Sequence, residues 1–217
     1  MFKRKLAKKR SSMKKFLPLL VLVLVLGPLL SLAKNKDVTK IVVLGNSLSD
    51  GYGVSKEKTF PALLEKQLRK RGHEVTIVNA GISGSTTASA VSRLKWLLRK
   101  KTDLLVLELG GNDGLRGIQL TASKTNLSRT ILLAQEKGVK VILTGMKLPR
   151  NYGEKYRQQF EAMFRDLAKK HKVTYMPFLL KGVGGVPELN LPDGIHPNEG
   201  GHQKIADNLI PYIEKLL

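Results

Sequence analysis

Three residues of this 217-residue chain have the side chains that nucleophilic acyl transfer requires: Ser47, Asp193 and His196. A serine hydroxyl becomes a strong nucleophile when a neighbouring imidazole accepts its proton, and a carboxylate that fixes the imidazole tautomer stabilises the resulting cation. Asp193 and His196 are three residues apart, so they can be neighbours without help from a distant element. Each residue alone is more typical of a turn or a surface loop. The chemistry therefore depends on whether the fold brings Ser47 to the pair.

Acyl transfer also needs hydrogen-bond donors for the oxygen that becomes negatively charged in the intermediate. The candidate donors are the backbone N–H groups of Ser47 and Gly84 and the side-chain amide of Asn112. Gly84 and Asn112 also have structural interpretations, because glycine permits a positive φ and asparagine after two glycines is a turn signal. The catalytic interpretation is favoured because these residues, together with the serine, aspartate and histidine, complete one mechanism.

The elements that must position these residues begin with the apolar run Ile41–Leu44. It is predicted to be a strand buried on both faces, and it ends at Gly45, just before Ser47. Four further strands are predicted, at Glu74–Asn79, Asp103–Leu109, Val139–Thr144 and Val173–Met176. Their alternation with helical patterns indicates right-handed βαβ units and a parallel sheet covered on both faces. The predicted fold is α/β: one three-layer α/β/α domain with a five-stranded, doubly wound, flavodoxin-like sheet.

The candidate residues all follow predicted strands or lie in the last long loop. Because ligands of open parallel sheets bind at the carboxyl ends of the strands, we expect Ser47, Gly84, Asn112 and the final loop to meet there. Glu108 is the unusual residue within the third predicted strand. A carboxylate in an apolar run needs a partner, and we interpret Glu108 as structural support near the end of the strand.

Five helices are predicted between and after the strands. Their approximate ranges are 60–71, 86–101, 121–137, 154–171 and 203–216. Thr59 is expected to cap the first helix, which has Pro61 in its first turn. Trp96 and Leu97 lie on the second helix and are expected in the core.

Four short segments resemble the four conserved blocks of the SGNH, or GDSL-type, hydrolases. They are Gly45–Ser49, Asn79–Gly84, Gly110–Asp113 and Asp193–His196. The resemblance covers residues 40–217. It implies that Ser47 is the nucleophile, His196 the base and Asp193 its orienter. It also implies that Ser47, Gly84 and Asn112 form the oxyanion hole and that no metal or organic cofactor takes part.

Further similarity points to one branch of that family, the exported arylesterases, lysophospholipases and thioesterase I enzymes. It lies in Glu108–Gly117, Leu148–Gly153 and Asp193–Asn198. One residue departs from the pattern, because the family usually has Asp before the nucleophile and this chain has Asn46. An amide keeps the size and one acceptor but loses the charge. We therefore expect Asn46 to affect loop support or rate, not the type of reaction.

The resemblance implies a serine esterase that hydrolyses aryl and lysophospholipid esters, and also acyl thioesters, through an acyl-enzyme. It implies that residues 146–153 and 180–191 flank the acyl pocket. A cell-wall or polysaccharide O-deacetylase on the same catalytic core is the alternative enzyme. A non-catalytic surface-binding module is the alternative from another class, and the complete set of serine, aspartate and histidine disfavours it. The expected partner is a small-molecule or lipid acyl ester, and the expected oligomeric state is a monomer.

The N-terminus has the order of a secretory signal peptide. Eight of the first fifteen residues are Lys or Arg, an apolar segment follows over residues 16–32, and Ser31-Leu32-Ala33 supplies small residues for cleavage after Ala33. A membrane anchor over residues 16–33 is the alternative, since its length approaches the roughly 18 residues of a spanning helix. Gly27-Pro28 would break that helix and favours cleavage. We expect an exported protein, periplasmic or extracellular, unless it is anchored through this segment.

The remaining chain is predicted as a linker over 34–39 and a hydrolase domain over 40–217. Removing residues 1–33 takes away eight basic residues and no acidic ones, so the net charge falls from +21 to +13. The basic residues are spread over several helical patterns without interleaved aromatic residues, which favours a solvated exterior over nucleic-acid binding. Attraction to an anionic membrane or cell-wall surface stays open. With no cysteine, an exported chain must be stabilised by packing.

Overall fold

The computed structural model of the protein describes residues 37–217, and its centre is a five-stranded parallel sheet. The strands are β1 (Thr39–Gly45), β2 (Val75–Gly81), β3 (Leu104–Glu108), β4 (Lys140–Thr144) and β5 (Thr174–Met176). They lie in the order β2-β1-β3-β4-β5, and every neighbouring pair is parallel. The doubly wound, flavodoxin-like prediction is confirmed, with the order reversing between β1 and β3.

The register of the sheet aligns the carboxyl ends of the strands β2, β1 and β3. Gly45 of β1 pairs with Gly81 of β2 on one side and with Glu108 of β3 on the other. The segments that follow these three residues therefore leave the same edge side by side. β1 begins at Thr39, within the predicted linker, and the proposed signal segment 1–33 lies outside the described residues.

Within residues 37–217, seven α-helices surround the sheet. They are α1 (Ser47–Asp50), α2 (Phe60–Lys70), α3 (Ala90–Leu97), α4 (Gly111–Leu115), α5 (Leu120–Glu136), α6 (Glu154–His171) and α7 (Glu199–Glu214). Single 3-10 turns occupy Lys56–Lys58, Thr87–Ser89, Arg150–Tyr152 and Pro187–Leu189. α2 packs on α7, while α5 packs between α3 and α6, which gives a helical layer on each face. Among residues 37–217, no helix is long and apolar enough to cross a membrane.

The core prediction for Trp96 is wrong, because its side chain is 67% exposed. On α3 the buried face is formed by Ala90 and Leu94, with Leu97 partly buried one turn later. At about 100° per residue, Trp96 lies about 200° around the helix from Leu94 and faces outward. The predicted helix over 86–101 was also too long, since α3 begins at Ala90 and ends at Leu97.

One helix start and one helix cap differ from the sequence prediction because of side-chain contacts. α7 begins at Glu199, four residues early, since Asn198 Oδ1 accepts a hydrogen bond from the backbone N–H of Gly201 (3.1 Å) and caps the helix. Thr59 stands at the cap position of α2, but its hydroxyl donates to another carbonyl and makes no cap bond. The N–H of Phe60 in that first turn donates to Nδ1 of His202 on α7, at 3.1 Å.

Candidate active site

Ser47 is the first residue of α1 and directly follows the end of β1. The residue before it, Asn46, is 3% exposed, and its Oδ1 accepts a hydrogen bond from the N–H of Leu48 at 2.9 Å, which caps α1. Gly51 ends the helix in the left-handed conformation, at φ 83°. The tight turn leaves the Ser47 side chain partly exposed at the carboxyl edge of the sheet.

A continuous hydrogen-bonded chain joins the three residues predicted for acyl transfer. Ser47 Oγ lies 2.9 Å from His196 Nε2, and His196 Nδ1 lies 2.7 Å from Asp193 Oδ2. An ionised carboxylate can only accept, so Nδ1 carries the hydrogen and donates it to Asp193. Nε2 of the neutral imidazole is then the acceptor for the Ser47 hydroxyl, which is the tautomer that proton removal from serine needs.

The loop that carries Asp193 holds its own carboxylate in place. Asp193 Oδ1 accepts hydrogen bonds from the backbone N–H groups of Ile195 and His196, both at 2.9 Å. Desolvation alone would raise the pKa of Asp193, but the hydrogen bonds from His196 and Ile195 and the charge of His196 outweigh it and lower the pKa to about 2. Asp193 therefore stays ionised at any pH at which His196 can act as a base.

Tyr52 covers the imidazole, a contact that the sequence did not predict. The ring centroids of Tyr52 and His196 are 4.6 Å apart with an angle of 42° between the planes. Tyr52 comes directly after Gly51, which ends α1, so the same short helix that presents Ser47 also presents this ring. In the sequence, Tyr52 is marked only by its position between two glycines, Gly51 and Gly53.

The three predicted oxyanion donors lie on neighbouring segments at the same edge. Within residues 37–217, the backbone N–H groups of Ser47 and Gly84 donate to no protein acceptor. Gly84 has φ 77°, which explains why glycine is needed in this turn. Asn112, on α4, uses one amide hydrogen for the carbonyl of Ser85 at 2.8 Å, which leaves its second hydrogen available.

Asp113, the last residue of the segment Gly110–Asp113, ties the loop after β2 to α4. Its carboxylate is buried and accepts from the N–H of Thr87 (2.9 Å), the hydroxyl of Thr87 (2.5 Å) and the hydroxyl of Ser123 (2.9 Å). Together with the Asn112 bond to Ser85, these contacts keep the Gly84 segment beside α4.

Glu108 supports the serine-bearing turn, in agreement with its interpretation as a structural carboxylate. It is fully buried, and its Oε2 accepts from the N–H of Asn46 (3.0 Å) and from the hydroxyl of Ser49 (2.6 Å). Burial raises the pKa of Glu108 to about 7, against the opposing effects of the bonds from Ser49 and Asn46 and the charge of Arg93. Among the described residues, Glu108 Oε1 has no hydrogen-bond partner.

The two loops expected to flank an acyl pocket lie on opposite sides of the site. The loop over 146–153 is joined to the Asn112 side, since the Tyr152 hydroxyl donates to the carbonyl of Leu115 at 2.9 Å. The loop over 180–191 is joined to the triad side, since the N–H of Leu191 donates to the carbonyl of His196 at 2.7 Å. That both loops line the acyl pocket stays a prediction.

Surface grooves of about 670 and 690 Å³ lie away from the serine. The first runs between α2 and the exposed edge of β2, and the second between α7 and the segment after β5. Neither is lined by Ser47 or His196. In the part of the chain that the structure describes, no group of three or more His, Asp and Glu side chains could hold a metal ion.

The profile of the GDSL-like Lipase/Acylhydrolase family matches residues 43–204. The chain is 40% identical to the arylesterase of Vibrio mimicus over 176 residues, which is 81% of this chain and 88% of the relative. It is 36% identical over 178 residues to the thioesterase 1/protease 1/lysophospholipase L1 of Escherichia coli K12, which is 82% of this chain and 84% of the relative.

The fold is similar to a solved structure as well. The crystal structure of TesA superimposes with a TM-score of 0.80 at 39% identity and covers 82% of this chain and 100% of that chain. The family match over residues 43–204 includes every segment that carries a candidate site residue.

Proposed function

This chain belongs to the GDSL-like lipase and acylhydrolase family and is a carboxylic ester hydrolase, and we propose that Ser47, His196 and Asp193 form its catalytic triad. The observation that carries this assignment is the pair of hydrogen bonds from Ser47 Oγ to His196 Nε2 (2.9 Å) and from His196 Nδ1 to Asp193 Oδ2 (2.7 Å). Nucleophile, base and orienting carboxylate are within hydrogen-bond reach of one another, which is the geometry that serine catalysis requires.

In the first half-reaction, Ser47 Oγ attacks the carbonyl carbon of the ester while its proton passes to His196 Nε2. The carbonyl oxygen becomes an oxyanion, and the N–H groups of Ser47 and Gly84 and the amide of Asn112 are the donors proposed to stabilise it. When the tetrahedral intermediate collapses, the bond to the leaving alkoxide breaks and His196 returns the proton to that oxygen. The product of this step is an acyl-enzyme and a free alcohol.

In the second half-reaction, water replaces the alcohol. His196 Nε2 removes a proton from the water as its oxygen attacks the acyl carbon, and the same donors receive the second oxyanion. Collapse breaks the bond to Ser47 Oγ, which recovers its proton from His196. Asp193 keeps its charge throughout and stabilises the imidazolium in both half-reactions, in keeping with its low pKa.

The proposed substrates are aryl and lysophospholipid esters and acyl thioesters. Support comes from the relatives, one of which is an arylesterase and another a thioesterase 1/protease 1/lysophospholipase L1. The chemistry described above accepts an alkoxide, a phenolate or a thiolate as the leaving group, because each receives its proton from the same nitrogen. The leaving group alone therefore does not decide the physiological substrate.

The test is hydrolysis of p-nitrophenyl esters from acetate to palmitate by the purified protein and by its Ser47→Ala variant. Ser92→Ala is the matched control, since Ser92 is exposed on α3 and donates only to a carbonyl of its own turn. We expect Ser47→Ala to lose at least about 10⁴-fold in kcat and Ser92→Ala to keep full activity. Equal, background-level rates in all three proteins would instead support a surface-binding module. A preference for acetate over all longer chains would support the deacetylase.

We further propose that residues 1–33 direct export and are removed after Ala33. The supporting observation is the order of basic, apolar and small residues in this segment. Mass spectrometry of the protein purified from the producing cells should find a mature N-terminus at Lys34. An intact N-terminus in the membrane fraction would instead support an anchor over residues 16–33.

A further inference from the structure

The turn that carries Ser47 is held by two charged side chains outside the predicted catalytic residues. From β3, Glu108 Oε2 accepts from the N–H of Asn46 and from the hydroxyl of Ser49, at 3.0 and 2.6 Å. Asn46 immediately precedes Ser47 and Ser49 follows it by two residues. One carboxylate oxygen therefore binds the chain on both sides of the nucleophile.

The second side chain, Arg93, reaches the same turn from α3. Its Nη1 and Nη2 both donate to the carbonyl of Gly45 at 3.1 Å, and Nη2 also donates to the carbonyl of Ala80 on β2. The Gly45 carbonyl accepts from the backbone N–H of Ile82 as well, at 3.2 Å. The Gly45 carbonyl and the Asn46 N–H belong to the same peptide unit. Arg93 thus holds the oxygen of that peptide and Glu108 holds its hydrogen.

The space around this peptide is filled. A Cβ on Gly45 would collide with Ser49 Oγ and Glu108 Oε2, so the carboxylate and the turn are in direct contact. On the other side of Ser47, the carbonyl of Ser49 accepts from Asn79 Nδ2 at 2.6 Å. The polar backbone groups that flank Ser47 are therefore bound from β2, β3 and α3, three elements that are separate in the sequence.

We propose that Arg93 and Glu108 are positioning residues for ester hydrolysis, which act by fixing the peptide before Ser47 and so the position of its hydroxyl relative to His196. The proposal rests on the proposed function, because it assumes that Ser47 is the nucleophile. Ser47 Oγ must be within hydrogen-bond distance of His196 Nε2 and, at the same time, close enough to attack the carbonyl carbon of the substrate. A displacement of about 1 Å at such a group can cost about a hundredfold in rate.

If these two side chains served only to stabilise the fold, their charge would be a disadvantage, because removing a charge from water costs free energy. The buried carboxylate of Glu108 and the partly buried guanidinium of Arg93 both lose hydration, and well-packed apolar residues of similar volume often give equal or greater stability. Glu108 also leaves Oε1 without a partner among residues 37–217, which is a further cost of burying a carboxylate here. What a pair of apolar residues could not supply is an acceptor for the Asn46 N–H and the side-chain donors that reach the Gly45 carbonyl in addition to the Ile82 N–H.

The test is the Arg93→Met variant beside Arg69→Met. Arg69 is the matched control because its Nε donates to the carbonyl of Val75, at the opposite end of β2, at 2.8 Å. Active sites are first counted with a serine-reactive fluorophosphonate, and kcat and KM are then measured per active site on a p-nitrophenyl ester. We expect kcat of Arg93→Met to fall about tenfold to a hundredfold with KM within about twofold. Arg69→Met should keep the wild-type kcat.

Conservative variants separate an effect on the position of Ser47 from an effect on folding. They also test the proposal if Arg93→Met does not fold. Arg93→Lys keeps one donor and should recover part of kcat. Glu108→Gln keeps a carbonyl oxygen for Asn46 and Ser49 and should stay within about tenfold of the wild-type kcat, whereas Glu108→Ala should fall further. A higher kcat per active site in Arg93→Lys than in Arg93→Met, and in Glu108→Gln than in Glu108→Ala, is a result that a merely structural role would not produce.

The proposal is overturned if Arg93→Met and Arg69→Met have the same kcat per active site, or if Glu108→Ala and Glu108→Gln do. It is also overturned if the losses appear only as fewer active sites or lower Tm. Failure of the proposed function looks different, since Ser47→Ala would then keep its activity. An inactive Ser47→Ala with unaffected Arg93 and Glu108 variants would reject the positioning role alone.

Discussion

The serine turn, Gly45–Ser49, and the acid–base loop, Asp193–His196, meet at the hydrogen bond between Ser47 and His196. Residues distant in the sequence hold the serine turn in place, whereas residues within the loop hold the acid–base loop. The turn Gly45–Ser49 is bound by side chains 30 to 62 positions away in the sequence, from Asn79, Arg93 and Glu108. The loop Asp193–His196 is held mainly by itself, because Asp193 accepts from two N–H groups within three residues. The bond from Leu191 to the His196 carbonyl is also local.

Burial follows the same division. Asn46, Ser49 and Glu108 are buried, while Asp193 is exposed to solvent and His196 is partly exposed. Changes in the serine turn should therefore alter stability as well as rate, whereas changes in the acid–base loop should alter mainly rate. Three variants test this division, and a fourth, His202→Phe, tests a buried contact outside both regions.

Asp193→Asn should have the largest effect, mainly on rate. The amide can still accept from Ile195 and His196, so the loop keeps its shape, but it does not stabilise the imidazolium or select the required tautomer. We expect kcat to fall by about 10³ to 10⁴. Because the low pKa of Asp193 means that its charge stabilises the fold, the free energy of unfolding should also fall, but only by about 1 kcal/mol, since the carboxylate is exposed to solvent. Steady-state kinetics and urea denaturation measure the two quantities.

Asp207→Asn is the matched control for this variant. Asp207 is an exposed carboxylate on α7 that accepts from Gln67 and Gln203, far from the serine. It should change neither quantity. A large loss of stability in Asp193→Asn would show that the acid–base loop is not held locally, and the division between the two regions would then fail.

Glu108→Gln should mainly change stability, with a gain in the free energy of unfolding that increases with pH. Burial raises the pKa of Glu108 from 4.5 to about 7 in the folded protein, so its favourable contribution is present below pH 4.5 and lost as the pH rises through 7. Glutamine does not titrate. We expect the variant to gain about 3 kcal/mol relative to wild type between pH 4.5 and pH 8, measured by urea denaturation across that range.

The control for this effect is Glu65→Gln, because Glu65 accepts from the N–H of Ile77 at 2.6 Å but is only partly buried. Its stability difference from wild type should not grow over the same pH range. Parallel pH profiles for Glu108→Gln and wild type would mean that Glu108 is charged in the fold at little cost. The argument from the cost of its burial would then be wrong.

The same difference between local and distant contacts explains what the sequence could predict. The strand order follows from apolar runs, their alternation with helices and the handedness of the crossovers, and Asp193 beside His196 follows from a spacing of three. Arg93 resembles any other basic residue on a helix, and only the packing of α3 shows that it reaches the Gly45 carbonyl. Trp96 was misplaced because residue type was given more weight than its position around the helix.

His202→Phe should have the next largest effect, on stability alone. His202 is 1% exposed on α7, stacks on Phe60 and accepts its N–H at 3.1 Å. Phenylalanine keeps the stacking but leaves that N–H without an acceptor, which should cost about 2 kcal/mol at pH 8 with kcat within about twofold. His73→Phe is the control, because His73 is a partly exposed residue paired with Glu214.

The cost of His202→Phe should also depend on pH in a defined direction. Burial, followed by the charge of His196, lowers the pKa of His202 to about 4. The stability that neutral His202 provides is present above pH 6.5 and is lost as the pH falls from 6.5 through 4. The difference in free energy of unfolding between wild type and variant should therefore become smaller as the pH falls from 6.5 to 4. A difference that became larger would contradict a buried neutral imidazole at His202.

Asn46→Asp should have the smallest effect, although its side chain is next to the nucleophile. Asp and Asn cap helices equally well, so the bond from the Leu48 N–H should persist. Because Asn46 is buried beside Glu108, the added charge should lower the free energy of unfolding by about 1 kcal/mol. The new carboxylate would lie beside Glu108, which accepts from the same residue's N–H, and would raise the pKa of Glu108 further. Because Asp193 already serves His196, the reaction should remain ester hydrolysis, with kcat/KM on a p-nitrophenyl ester within about tenfold of wild type. A different product, or a loss as large as that of Asp193→Asn, would mean that the serine turn contributes chemistry as well as position.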